Sequence, residues 1–292
     1  MTAAETEQGG DAPALLAELD GQVLVLTLNR PDQRNAINRA MRKELKRQLW
    51  RADSDDDIRA VVITGAGPSF SSGVDLPEAL SGPSPRTEGP TPTQVLRACS
   101  KPVIAAVNGA CYTGGFELAV NCSFIIASEK AVFADTHAQI GLLNGWGGSA
   151  LLPRTVGLAA AIQIILSGEP FDAATALRLG LANEVVPHEQ HLERTMTIAR
   201  TIAGGHPGAV QRMLRLLKEG PARRSPTLWP WKRKRASRPS RQRKPASKPP
   251  RRRRRRSSRR RRKRRRSARS GSGPCISAPG SGGCWAAWSR PE

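Results

Sequence analysis

Apolar residues recur along this chain in two rhythms. In GQVLVLTLNR (21–30) they alternate and are partly β-branched, which predicts a strand opening after Asp20 and Gly21. In INRAMRKELKRQLW (37–50) they fall at 37, 41, 45 and 49, a spacing that puts them on one face of a helix. AVVITGAG (60–67) and KPVIAAVNG (101–109) are short unbroken apolar runs ending in glycine, the pattern of parallel strands buried on both faces. SFIIAS (123–128), AVFAD (131–135) and LANEVV (181–186) predict further strands. Helices are expected from 115–122, over 156–167, over 172–179 with Asp172 as cap, over about 188–203 and over about 207–219. SGPSPRTEGPTP (81–92) is rich in helix and strand breakers and reads as a loop. Strands alternating with helices predict an α/β protein with a layered core, and no segment repeats at a fixed period.

Charge divides the chain. The net charge is +23, yet 27 of the 47 lysines and arginines and 1 of the 24 acids lie in 221–292. Residues 1–220 hold 20 bases against 23 acids, so this part is mildly acidic and the tail alone carries +26. Three segments follow: a disordered N-terminus (1–13), a folded domain (14–220) and an arginine-rich, low-complexity tail (221–292) that cannot bury a core. The five cysteines show no metal-ligand spacing and fit a reducing compartment. The acidic start MTAAETEQGGDAPALL is unlike a signal peptide, and no apolar run reaches the roughly 20 residues needed to span a bilayer. A soluble cytoplasmic protein is the expectation.

Two glycine-bearing turns each follow a buried strand, PSFSSGVDL (68–76) and NGACYTGGFE (108–117). If those strands are neighbours, both turns open on one sheet edge. Each could then aim a backbone N–H at a common point, as in an oxyanion hole. Glu117 stands just inside the helix that Gly114 and Gly115 begin.

These pieces together resemble the crotonase (enoyl-CoA hydratase/isomerase) family. The resemblance rests on LNRPDQRNAIN (28–38), VVITGAGPSFSSGVDL (61–76), KPVIAAVNGACYTGGFELAVNC (101–122), FADTHAQIGLLNGWGGSALLPRTVG (133–157) and ALRLGLANEVVP (176–187), in family order over about 28–220. It implies a ββα spiral core closed by C-terminal helices, with an acyl-CoA thioester as substrate and no metal or redox cofactor. It implies that the N–H groups of Val74 and Gly114 hold the thioester oxygen. Arg34, Ala36, Ser72, Gly73, Asp75, Leu76, Cys111 and Thr113 then line the substrate, and Trp146 walls the acyl group. Of the family's two catalytic glutamates, Glu117 matches the first and His137 replaces the second. Imidazole titrates near neutrality and can still share a water with one acid. The reaction implied is hydration of a 2-enoyl-CoA or its reverse. Isomerisation, decarboxylation, thioester hydrolysis and a non-catalytic descendant remain open, and trimers or hexamers are the implied assemblies.

Several of these residues also have plain readings. Asp75 and Asp135 suit turn braces, Cys111 and Cys122 suit core fillers, and NGWGGS (144–149) suits a helix start without the lysine of a phosphate loop. The tail has two readings. One is an arm that binds nucleic acid nonspecifically through counterion release. The other is a shifted reading frame: read one base early, WPWK yields alanine and glutamate codons around NTG, and PARRSPTLWPWKRKR can become GAPLADALALEAEA, a good helix former.

Overall fold

The computed structural model describes residues 12–81 and 89–219. The expectations for residues 1–11, for 82–88 of the loop and for the 221–292 tail lie outside these.

Along the chain come β1 (Leu15–Asp20), β2 (Val23–Leu28), α1 (Arg39–Ser54), β3 (Ala60–Gly65), β4 (Ser69–Ser71), α2 (Leu76–Ser81) and α3 (Pro92–Ala98). They are followed by β5 (Val103–Val107), β6 (Ala110–Tyr112), α4 (Gly114–Asn121), β7 (Phe124–Ser128), β8 (Val132–Ala134) and α5 (Gly148–Val156). The described part ends with α6 (Leu158–Ser167), β9 (Phe171–Asp172), α7 (Ala173–Arg178), β10 (Glu184–Val186), α8 (His191–Ala203) and α9 (Pro207–Glu219). One sheet has the order β1-β2-β3-β5-β7-β10, and a second has the order β4-β6-β8-β9. Within the first, only the β1–β2 pair is antiparallel. Each of β3, β5 and β7 thus runs up the large sheet and continues into a strand of the small one.

The unbroken apolar runs are explained by burial on both faces. Leu24, Leu26, Val61, Ile63, Val103 and Ala105 join the main core, with Met41, Leu45 and Leu49 of α1. Val23, Val62, Ile104 and Ile126 face the other way, onto Met196, Ala199 and Ala203 of α8. The helical spacing read at 37, 41, 45 and 49 is therefore a buried stripe, and Asn38 starts α1 by accepting from the Met41 N–H at 2.9 Å. Asp172 caps α7 as expected, accepting from the Thr175 N–H at 2.8 Å.

Some elements depart from the reading. LLAELD, for which the sequence pattern predicts no element, is β1, held by its register with β2 from Leu15↔Leu28 to Asp20↔Val23. The helix expected at 156–167 is α6, which begins at Leu158 because Gly157, with φ 82°, separates it from α5 just before. The loop expected at 81–92 gives way at Pro92 to α3, a helix the pattern does not predict, whose Thr91 and Gln94 form a capping box.

Two features fix the region around the glycine turns. Asn35, fully buried with φ 55°, donates to the carbonyls of Ala66 (2.9 Å) and Ser69 (2.7 Å) and accepts from the Arg30 N–H (2.8 Å). It locks the 30–37 segment onto the turn between β3 and β4. Deeper, Phe116 of α4 meets Phe133 of β8 and Phe171 of β9 edge-on, at 6.3 and 6.2 Å, while those two stack at 5.7 Å. Replacing Asn35 with Ala strands two carbonyls and an N–H in the interior. The expected loss is about 2–4 kcal/mol of unfolding free energy, read by urea denaturation.

Candidate active site

β3 and β5 pair directly and in parallel, so the two glycine turns do open on the same sheet edge. Their approach depends on missing side chains. A Cβ on Gly115 would lie 2.6 Å from the Ser71 carbonyl oxygen and 2.7 Å from the Ser71 Cβ. On Gly73, where φ is 104°, it would lie 2.9 Å from the Gly114 nitrogen. On Gly114 it would lie 3.2 Å from the Val74 nitrogen. The two main-chain nitrogens therefore border one small space. Val74 bridges Ile37 in parallel; Ile37 donates to the Gly73 carbonyl at 2.7 Å and Asp75 donates to the Ile37 carbonyl at 3.2 Å. In such a bridge the intervening Val74 N–H points away from Ile37. Gly114 is the first residue of α4, where N–H groups lack intrahelical acceptors and the dipole favours negative charge. Among the described residues neither amide finds an acceptor. Thr113, which precedes Gly114, is held at φ 53° and ψ −114°, a costly conformation for a β-branched residue.

Glu117 follows Gly114 by three residues on α4 and is buried. Its Oε1 accepts the N–H groups of Trp146 (2.8 Å) and Gly148 (2.9 Å), which leaves Oε2 facing His137 Nε2 at 3.6 Å. Burial pushes the Glu117 carboxyl above its ordinary range, against the pull of those amides and of His137. The other ring nitrogen of His137, Nδ1, lies 2.6 Å from Asp135 Oδ1. The same oxygen accepts the His137 N–H at 3.2 Å, and Asn144 donates to Oδ2 at 3.1 Å. Burial alone would raise Asp135; these hydrogen bonds outweigh it and hold the carboxyl below its usual range. Thr113 and Thr136 share a hydroxyl contact of 2.7 Å, and Asn121 of α4 donates to the Trp146 carbonyl at 3.1 Å. Both contacts fasten α4 to the segments carrying His137 and Trp146.

The remaining positions divide. Ser72 donates its N–H to the Arg34 carbonyl at 2.9 Å, so 34–37 runs beside 72–75 and brings Arg34, Ala36, Ser72, Gly73 and Leu76 into one neighbourhood. Arg34 is exposed with φ 50°. Asp75 caps α2 through the Glu78 N–H (3.2 Å) and pairs with Arg30 (2.7 Å), the bracing role its turn suggested. Cys111 is buried in the main core, and burial pushes its thiol well up. Trp146 is half-buried against that core. Sequence reasoning missed Asn35 and Asn144, and it took Asp135 for a brace alone. An asparagine inside a glycine-rich run such as NGWGG is the one signal that pointed to Asn144.

A family profile described as enoyl-CoA hydratase/isomerase matches residues 18–229. The chain belongs to this family. It is 37% identical over 202 residues to a probable peroxisomal enoyl-CoA hydratase of Arabidopsis thaliana, covering 68% of this chain and 76% of that protein. It is 37% identical over 208 residues to the 2,3-dehydroadipyl-CoA hydratase of Escherichia coli, covering 70% and 82%. A crystal structure of an enoyl-CoA hydratase from Mycobacterium avium superposes with a TM-score of 0.65 at 45% identity, covering 72% of this chain and 90% of that one. As a member of the hydratase/isomerase family the chain is an enzyme of crotonase fold. Among the described residues no helix is long and apolar enough to cross a membrane.

The close approach at Gly115 can be tested directly. Gly115→Ala forces α4 away from Ser71, at an expected cost of about 1–3 kcal/mol in denaturant unfolding and with lowered turnover. Gly145→Ala, whose Cβ would meet nothing nearer than 3.9 Å, leaves both unchanged.

Proposed function

We propose that this enzyme hydrates a 2-enoyl-CoA, or dehydrates the matching 3-hydroxyacyl-CoA, through an enolate held by main-chain amides. The observation that carries the reading is the adjacency of the Val74 and Gly114 nitrogens, with Glu117 one helical turn further along α4. Two N–H groups held side by side would need little reorganisation when charge gathers on the thioester oxygen, and the α4 dipole would add to the attraction. Polarising that carbonyl draws electrons from the double bond. Water then adds at the β-carbon and a proton at the α-carbon. Glu117 and His137 are the two titratable groups placed to move those protons.

The names of the relatives support hydration over the isomerase or thioesterase alternatives, since the Arabidopsis and E. coli proteins are both called hydratases. Arg34, exposed at the mouth of the segment beside Ser72, suits the phosphates of coenzyme A. Leu158, Ile162 and Leu166 are exposed four residues apart on α6, an apolar stripe that supports the trimer or hexamer expected of the family.

Glu117→Gln keeps an oxygen for the Trp146 and Gly148 amides and removes the titratable proton. The expected fall in kcat for crotonyl-CoA hydration is about 10²–10⁴-fold with KM little changed, followed by loss of absorbance of the conjugated thioester. Unchanged turnover would remove Glu117 from the mechanism.

A second reading rests on the 27 bases against 1 acid in 221–292. This segment would bind RNA or DNA without regard to sequence. Filter binding should weaken steeply between 50 and 200 mM salt, by about 10³-fold or more if six or more phosphates are contacted. Deleting 221–292 should abolish it.

A further inference from the structure

We propose that Asp135 is a positioning residue that holds His137 as the Nδ1–H tautomer, making its Nε2 the base that takes a proton from water and leaving Glu117 as the donor to the α-carbon. The proposal rests on the hydratase reading and divides labour within it.

The geometry leaves little freedom. A carboxylate is acceptor only, so Asp135 Oδ1 at 2.6 Å requires a proton on Nδ1. The same oxygen accepts the His137 main-chain N–H at 3.2 Å, which sets the ring plane relative to its own backbone. Asn144 secures the second oxygen at 3.1 Å, so the carboxylate cannot rotate away. Asp135 is fully buried and His137 nearly so, leaving water little room to compete for these partners. Orienting imidazole from behind by a buried carboxylate is how other enzymes select the tautomer with a free lone pair in front.

That lone pair meets Glu117 Oε2 at 3.6 Å. Two acceptors facing each other at this separation repel unless one proton lies between them. Glu117 Oε1 is engaged by two amides, so the shared proton belongs on the Oε2 side, consistent with the upward push that burial gives this carboxyl. A distance of 3.6 Å is too long for a direct hydrogen bond and suits a pair of groups working on a third molecule.

The step balances without any further reactant. Nε2 takes one proton of water while the water oxygen bonds to the β-carbon. The double-bond electrons pass to the enolate oxygen at Val74 and Gly114. The enolate then returns its electrons to the α-carbon, which takes the proton from Oε2. The proton on Nε2 passes to Oε2 and restores the pair, and Asp135 offsets the imidazolium charge while it lasts.

The test reads the tautomer first, without substrate. In ¹⁵N-labelled full-length protein, long-range ¹H–¹⁵N spectra distinguish protonated from bare ring nitrogens, and His137→Gln identifies which of the four histidines is which signal. His137 is expected as Nδ1–H in the wild type. Asp135→Asn presents an amide that can donate to Nδ1, and so should convert the ring to Nε2–H. The same variant should lose about 10²-fold or more in kcat with KM within about twofold. Asn144→Leu, which keeps the carboxylate, should retain the tautomer and lose roughly tenfold in kcat; it serves if Asp135→Asn does not fold. A wild-type Nε2–H signal, or a folded Asp135→Asn variant with unchanged kcat, overturns the positioning role while hydration stands. A wild type with the expected tautomer that hydrates none of a panel of short, branched and aromatic 2-enoyl-CoAs overturns the hydratase reading instead.

Discussion

The site depends on one steric constraint: a helix start and a strand turn must approach until their backbones touch. Gly73, Gly114 and Gly115 satisfy it by having no Cβ, and any larger residue at the last of these would sit inside the Ser71 backbone contact. From this contact follows the neighbourhood of the Val74 and Gly114 nitrogens, and from α4 being a helix follows the placement of Glu117. The energetic cost is local, in the unfavourable φ of Thr113 and in two donors without an acceptor among the described residues. Buried hydrogen bonds around it, above all those of Asn35, keep the strained arrangement from relaxing.

Around the contact, polar groups are spent asymmetrically. Glu117 has one oxygen tied to backbone amides and one free, and His137 has one nitrogen tied to Asp135 and one free. The tied atoms set orientation and the free ones face each other. An acid and an imidazole so arranged keep their free atoms at a fixed separation. Two freely rotating side chains at the same average distance could not do so reliably.

Much of this was legible in the residues. The apolar runs at 60–67 and 101–109 carry the mark of burial on both faces and the glycines after them mark turns, while the shared edge follows only from the pairing of β3 with β5. The family resemblance names Glu117, Val74 and Gly114, which the fold brings into one neighbourhood. What escaped was set by partners distant in sequence. β1 exists because β2 offers it a ladder, whereas its own composition favours a helix. The pairing of Asp135 with His137 is an i, i+2 contact that makes sense only once Asn144, nine residues on, clamps the other oxygen. Local pattern carries the layers of the fold; the wiring between polar side chains emerges only when the loops fold back.

The three phenylalanines beneath the site have a mechanical meaning. Phe116 is the residue before Glu117, Phe133 lies on the strand leading to Asp135 and His137, and Phe171 is the ring both lean on. The ring contacts therefore tie the helix that carries Glu117 to the strand that leads to His137, much as a rivet joins two plates. A smaller side chain at Phe171 would take from both elements the ring they share.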